Sequence, residues 1–271
     1  MTAKSALKTI VPPSIWARLS DLYWWNRNRG RHLLARAVSP RSYASRRRLL
    51  DLKDSHQGER CFIVGNGPSL RHTDLSRLRG EFTFGLNRVY LLFPQIGFAT
   101  SCLVSVNDLV LEQCAAEMMA LALPKFITWR ARRWFAAEPG TIFIDTDFTG
   151  SENFAPTAAG RLFEGFTVTY VALQLAFHMG FSDAILIGVD HSFVTQGPAN
   201  QAVVSQGDDP NHFASNYFGP GFKWQLPDLE GSERAYRLAK LAYEAAGRRV
   251  VDATLGGKLT VFPKAEFESL F

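Results

Sequence analysis

Short runs that are apolar on both faces alternate along this chain with longer stretches in which apolar residues return every three or four positions. The runs at 61–64 (CFIV), 82–86 (FTFGL), 101–106 (SCLVSV) and 184–189 (AILIGV) predict strands buried on both sides, as in a parallel sheet. Segments 126–129 (FITW) and 141–144 (TIFI) predict two more short strands, and 249–254 (RVVDAT) a last one. Helical spacing fills 109–123, 165–180 and 230–246, which stop at Pro124, Gly180 and Gly247. This alternation predicts an α/β fold, a variant Rossmann, doubly wound and mostly parallel sheet with roughly five to seven central strands. From 191 to 229 the periodicity fades into a Gly-, Pro-, Asn- and Asp-rich loop. Its aromatics Phe213, Tyr217, Phe218, Phe222 and Trp224 predict an ordered, lid-like segment.

The first strand ends abruptly at Gly65-Asn66-Gly67-Pro68-Ser69. Pro68 and Ser69 suit a helix start, so the pattern is strand, glycine turn, helix, with backbone N–H groups aimed at one spot that favours a phosphate or carboxylate. The same pattern also describes a tight connection without a ligand. Leu70 stands where the dinucleotide fingerprint needs a third glycine, so a hydride-transfer cofactor is not indicated. Two further strands end in Asn87 and in Asn107 followed by Asp108. Three amides at three strand ends suit a base and ribose read through donor and acceptor pairs, although each is also a good turn former.

Composition narrows the class. Of 271 residues, 46% are hydrophobic and 20% charged, as in an ordinary globular protein. No apolar run approaches the roughly 20 residues of a membrane span. The net charge of +5 is uneven: residues 1–60 carry 13 Lys and Arg against 4 Asp and Glu, which leaves the remainder net acidic. Residues 1–57 therefore read as a basic helical appendage and 58–271 as the catalytic domain. With Tyr23, Trp24 and Trp25 among its arginines, the appendage suits an anionic membrane surface, or equally a pair of helices docked on the domain. The acidic remainder argues against nucleic acid as a partner. Cys61, Cys102 and Cys114 lie on apolar segments without metal-ligand spacing, which fits a reducing cytoplasm and buried thiols without chemistry.

Candidate chemistry gathers at strand ends and in the long loop. Asp190-His191-Ser192 follows the most apolar strand, and Asp208-Asp209-Pro210-Asn211-His212-Phe213 lies in the loop. A histidine beyond the carboxyl edge of a parallel sheet can take a proton from a sugar hydroxyl as a nucleotide leaves. His212 is the first candidate for this role and His191 the second, with a loop-holding role for His191 as the alternative. Asp145-Thr146-Asp147 matches the DxD pattern with which many sugar transferases hold a metal, and also matches a solvated turn.

Taken in order, IVGNGPSL, FGLNRVY, SVNDLVLEQ and TVTYVALQLAFHMGFSDAILIGVD resemble the bacterial sialyltransferases that build lipooligosaccharide. With GVDHSF, DPNHF, YFG and ATLGGKLTVFP, they resemble still more the related domain of flagellin motility accessory factors and polysaccharide-cluster proteins. The resemblance runs from about Gly58 to Pro263. It implies inverting transfer from a CMP-activated acidic sugar, such as a sialic or pseudaminic acid, to a glycan acceptor, without a metal or other cofactor. By the same resemblance Gly65, Asn66, Gly67, Ser69, Asn87 and Asn107 would hold the nucleotide, and Thr167 and Thr169 would lie near donor phosphate and sugar. Asp190, Ser192 and Tyr217 would meet the leaving group or acceptor. The sequence departs from the sialyltransferase pattern in three places: the Thr-Ser-Gly turn lacks its serine and glycine, Ser192 replaces a tyrosine, and an unbroken offset would put Asn216 at the catalytic histidine. The expected location is the cytoplasm, peripheral to the inner membrane face.

Two other functions fit part of the pattern. The same superfamily holds archaeal 6-hydroxymethylpterin diphosphokinases, which would use ATP and magnesium with Asp190, Asp208 or Asp209 as metal ligands. A non-catalytic module that binds nucleotide or glycan and recruits a membrane assembly would bind but never turn over.

Overall fold

The computed structural model describes residues 31–136, 138–150, 152–194 and 197–271, so the aromatic and arginine stretch 22–29 lies outside the described residues. The chain divides into a unit spanning 1–43 and a body spanning 44–271. In the first unit, helix α1 (Arg31–Val38) precedes the start of α2 (Pro40–Asp51). The body takes in the end of the expected appendage, because from Ala44 onward the chain packs on the domain. The Ser45 hydroxyl accepts from Phe143 N–H at 3.0 Å, Leu49 is buried, and His178 Nε2 donates to the Leu49 carbonyl at 2.7 Å.

The body is built on one eight-stranded sheet, every pairing of which is parallel. Its strands are β1 (Arg60–Val64), β2 (Phe82–Leu86), β3 (Cys102–Ser105), β4 (Lys125–Thr128), β5 (Thr141–Asp147), β6 (Arg161–Phe163), β7 (Asp183–Ile187) and β10 (Arg249–Asp252), in the order β10-β7-β1-β2-β3-β4-β5-β6. A separate antiparallel pair, β8 (Ala202–Val204) and β9 (Lys223–Gln225), lies in the long loop. Chain direction across the sheet reverses beside β1. β1 to β6 run outward to one edge; the chain then returns through α5 (Val168–Met179) and lays β7 against the free side of β1. This is the topological switch point of an open α/β sheet, where a crevice opens beyond the carboxyl ends of the strands.

Alternation along the strands divides the core. Cys61, Ile63, Phe84, Leu86, Val104 and Ile144 join one apolar cluster with α5 and with α6 (Leu229–Ala245). On the opposite face Phe62 stacks on Phe271 and meets Phe267, while Phe143 meets Trp129 edge-on. α5 ends at Gly180 in the left-handed conformation, and its Gln174 is wholly buried because its amide is fully used: Oε1 accepts from Ala155 and Phe163 N–H, and Nε2 donates to the Phe163 and Tyr170 carbonyls. Among the described residues the other α-helices of the body are α3 (Phe93–Ile96) and α4 (Asp108–Met119). Among the described residues no helix is long and apolar enough to cross a membrane.

Candidate active site

Two clefts meet at the switch point. The smaller, about 170 Å³, lies between the turn after β1, the turn after β7 and the start of α5. The larger, about 600 Å³, continues past the ends of β2 to β5. They share Asn87, Phe166, Thr167, Val168, Pro227 and Asp228.

The glycine turn after β1 is a tightly closed seam. Gly65 and Gly67 N–H donate to the Ile187 and Gly188 carbonyls, both at 2.8 Å. Ser69 gives its N–H to Asp190 Oδ1 at 3.0 Å and its hydroxyl to Oδ2 at 2.7 Å. Both glycines are required by this approach: a Cβ at Gly65 would stand 2.3 Å from the Gly188 carbonyl oxygen, and one at Gly67 would stand 1.8 Å from Asp190 Oδ2. The helix expected from Pro68 is a 3-10 turn (Pro68–His72), and the anion that meets its donors is the chain's own Asp190 carboxylate. Burial pushes that carboxyl above its ordinary value, against the pull of the Ser69 bonds.

The three asparagines have separate fates. Asn66 Oδ1 is buried with no hydrogen-bond partner among the described residues, and Asn66 lines the smaller cleft. Asn87 adopts a left-handed backbone at φ 48 and accepts from the Ser105 hydroxyl at 2.9 Å, which aims its amide between the two clefts. Asn107 caps α4, its Oδ1 accepting from Leu109 and Val110 N–H, and lines the larger cleft. Thr167 caps α5 in the same way by accepting from Thr169 N–H, and both threonines line the smaller cleft.

The two histidines differ more. His191, at φ 54, directs Nε2 to Glu233 Oε1 at 3.0 Å, which ties the turn after β7 to α6. His212 directs Nδ1 to Asp209 Oδ2 at 2.7 Å, and its Nε2 makes no hydrogen bond among the described residues. A carboxylate only accepts, so Asp209 fixes the proton on Nδ1 and leaves the Nε2 lone pair available in the neutral ring. Asp209 is itself held, Oδ1 accepting from Asn211 N–H at 2.9 Å. His212 lines the smaller cleft with Asn66, Asp190 and Ser192. Tyr217 does not line either cleft: its ring lies flat against the His212 imidazole at 4.0 Å and 7°, and its hydroxyl is directed to the backbone of Arg88.

The Asp145-Thr146-Asp147 motif belongs to β5 rather than to a turn. Asp145 pairs with Arg161 on β6 at 3.0 Å, and Asp147 Oδ1 accepts from Thr149 N–H and hydroxyl. Arg161 is thus engaged on the sheet edge, and Lys223 lies on β9, its backbone bound by the Gln113 amide. Sequence reasoning passed over Arg130, Glu164 and Asp228, which line the larger cleft. Arg130 donates to Glu164 at 2.8 Å and to Asp108 at 3.3 Å, and burial raises the Glu164 carboxyl despite that cation. Arg130 lies two residues beyond the end of β4, as Asn66 and Asn107 do beyond β1 and β3, so the rule that singled out those asparagines applies to it equally.

No protein-family model matches the chain, and no curated protein matches it. Among solved structures it is similar to the MAf glycosyltransferase from Magnetospirillum magneticum AMB-1, with a TM-score of 0.53 and 16% identity over 81% of this chain. The chain spans about a third of that protein's length, 35%. At this identity the likeness establishes a shared fold.

Proposed function

We propose that this protein is a glycosyltransferase that moves an acidic sugar from a CMP-activated donor to a hydroxyl of a glycan or glycoprotein acceptor, with inversion and without a metal. The observation that carries the reading is the Asp209–His212 pair, which leaves an unshared Nε2 beside a crevice lined by Asn66 and Asn87 at the switch point. The fold shared with a MAf glycosyltransferase supports the reaction class. The ordered motif series supports the CMP donor.

His212 Nε2 takes the proton of the acceptor hydroxyl while that oxygen attacks the anomeric carbon. The bond from that carbon to the phosphate oxygen breaks on the opposite face, CMP leaves with the electron pair, and Asp209 stabilises the imidazolium that results. Asn66 Oδ1 is an acceptor awaiting a ribose or base donor, because a buried carbonyl without a partner costs about 1–3 kcal/mol. With the Ser69 donors held by Asp190, the phosphate is assigned to the start of α5, where Thr167, Val168 and Thr169 line the smaller cleft at the positive end of a twelve-residue helix. His191 holds the loop through Glu233.

A thermal-shift comparison of CMP, CDP, UDP, GDP and ATP, each with EDTA or magnesium, tests the reading. Ligand at 100 times its dissociation constant stabilises by about 2.7 kcal/mol. A shift with CMP or CDP that survives EDTA is the expected result. A shift confined to ATP with magnesium would replace the transferase with diphosphoryl transfer, and no shift with any nucleotide would leave a recruiting module.

A further inference from the structure

The His212 ring rests on Tyr217, whose hydroxyl and backbone carbonyl both accept from Arg88. The ring planes of His212 and Tyr217 are 7° from parallel with centroids 4.0 Å apart, so neither ring can tilt toward the other without a clash. Tyr217 is 1% exposed. Its hydroxyl accepts from Arg88 N–H at 3.3 Å, and its backbone carbonyl accepts from the Arg88 guanidinium. The remaining guanidinium donors reach the Tyr90 hydroxyl at 3.3 Å and Glu117 Oε2 at 3.2 Å, and Tyr90 donates to the same Glu117 oxygen. Arg88 is 9% exposed and packs against the rings of Tyr217 and Phe222. One buried cation thus joins the end of β2, helix α4 and the aromatic loop.

The position of Arg88 in the chain gives this junction its meaning. It is the residue after Asn87, whose left-handed backbone sets the cleft-lining amide, so one turn delivers a cleft amide on one side and the support of the His212 stack on the other. A lysine offers one compact cation, whereas these partners, a carbonyl, a hydroxyl and a carboxylate, need the planar fork of a guanidinium. We infer that Arg88 is a positioning residue: acting through Tyr217, it holds the His212 imidazole in the plane in which Asp209 fixes the proton on Nδ1 and Nε2 opens to the cleft. The aromatic loop is accordingly a fixed carrier of the base, latched at Arg88, rather than a lid that swings. The inference rests on the proposed role of His212 only for its catalytic meaning; its structural content is read without any substrate.

The experiment is nitrogen NMR of the full chain labelled at histidine, which reports the tautomer and exchange of the His212 ring directly. In the parent protein His212 is expected to show a single Nδ1–H tautomer. Arg88→Ala is expected to average it toward the mixture of a free imidazole, Arg88→Lys to recover it in part, and Gln113→Ala, which loosens β9 without touching Tyr217, to leave it unchanged. A parent-like His212 signature in folded Arg88→Ala overturns the inference. Should Arg88→Ala not fold, Tyr217→Leu removes the ring platform, and an unchanged signature there overturns it equally. A tautomer mixture in the parent protein would instead overturn the Asp209–His212 pair on which the proposed function stands, which separates the two failures.

Discussion

At the scale of single residues, the site is defined by what each polar atom already holds. Asn66 Oδ1 has no partner among the described residues, so Asn66→Ala is expected to leave stability unchanged or raised and, on the proposed function, to weaken CMP at least tenfold, as read by titration calorimetry. Asp190 holds the turn at a cost. Because burial raises its carboxyl in the folded state above 3.8, the folded protein binds that proton more tightly than the unfolded chain does. The contribution of the group is therefore fully present below 3.8 and is lost as pH rises through the raised value. Asp190→Asn keeps the shape, and its stability relative to the parent should grow over that same interval and then level off, measured by urea unfolding across pH. Gly67→Ala forces a methyl onto the same carboxylate and should cost about 1–3 kcal/mol, as overpacking does.

At the scale of elements, the body begins within α2, and the two neighbouring leucines of that helix separate packing from exposure. Leu49→Ala is expected to cost about 2–5 kcal/mol and Leu50→Ala at most about 0.5, by denaturant unfolding, since Leu49 is 3% exposed and Leu50 45%. The strands along both sides of the switch point were legible in the sequence because burial on both faces leaves an unbroken apolar run, and β1, β2, β3 and β7 all lie where those runs fall. β6, β8 and β9 were not legible: each has three residues, too few to display a period, and β8 shows exposed and half-buried residues only. The helices α4, α5 and α6 lie within a residue or a few of their expected bounds, because Asn107, Thr167 and Asp228 cap them with their own side chains. Those same caps show why the site was only partly legible. Asparagine and threonine at strand ends signal a cap and a ligand contact alike, and in Asn107 and Thr167 one side chain both caps a helix and lines a cleft. The Asp209–His212 pair and the Arg88 junction depend on contacts across the fold that local pattern cannot display.

At the scale of the whole molecule, charge and topology set behaviour beyond the site. Residues 1–60 carry the positive excess, and within the body Arg46 and Arg47 are exposed on α2. Sedimentation with phosphatidylserine vesicles at low salt, lost at high salt and absent with neutral vesicles, is the expected outcome if this segment meets a membrane. Persistence of binding at high salt would assign it to apolar insertion instead. The order of the sheet has a further consequence, in time rather than in space. β1 is made early yet stands between β2 and β7, and β7 is separated from it by all of β2 to β6 and α5. At a synthesis rate of about 5–20 residues per second, the growing polypeptide carries one unpaired edge of β1, apolar from Cys61 to Val64, for on the order of ten seconds before its partner leaves the ribosome. During that interval the crevice beyond β1 has only one of its walls, because the turn after β7 that closes it has not yet been made.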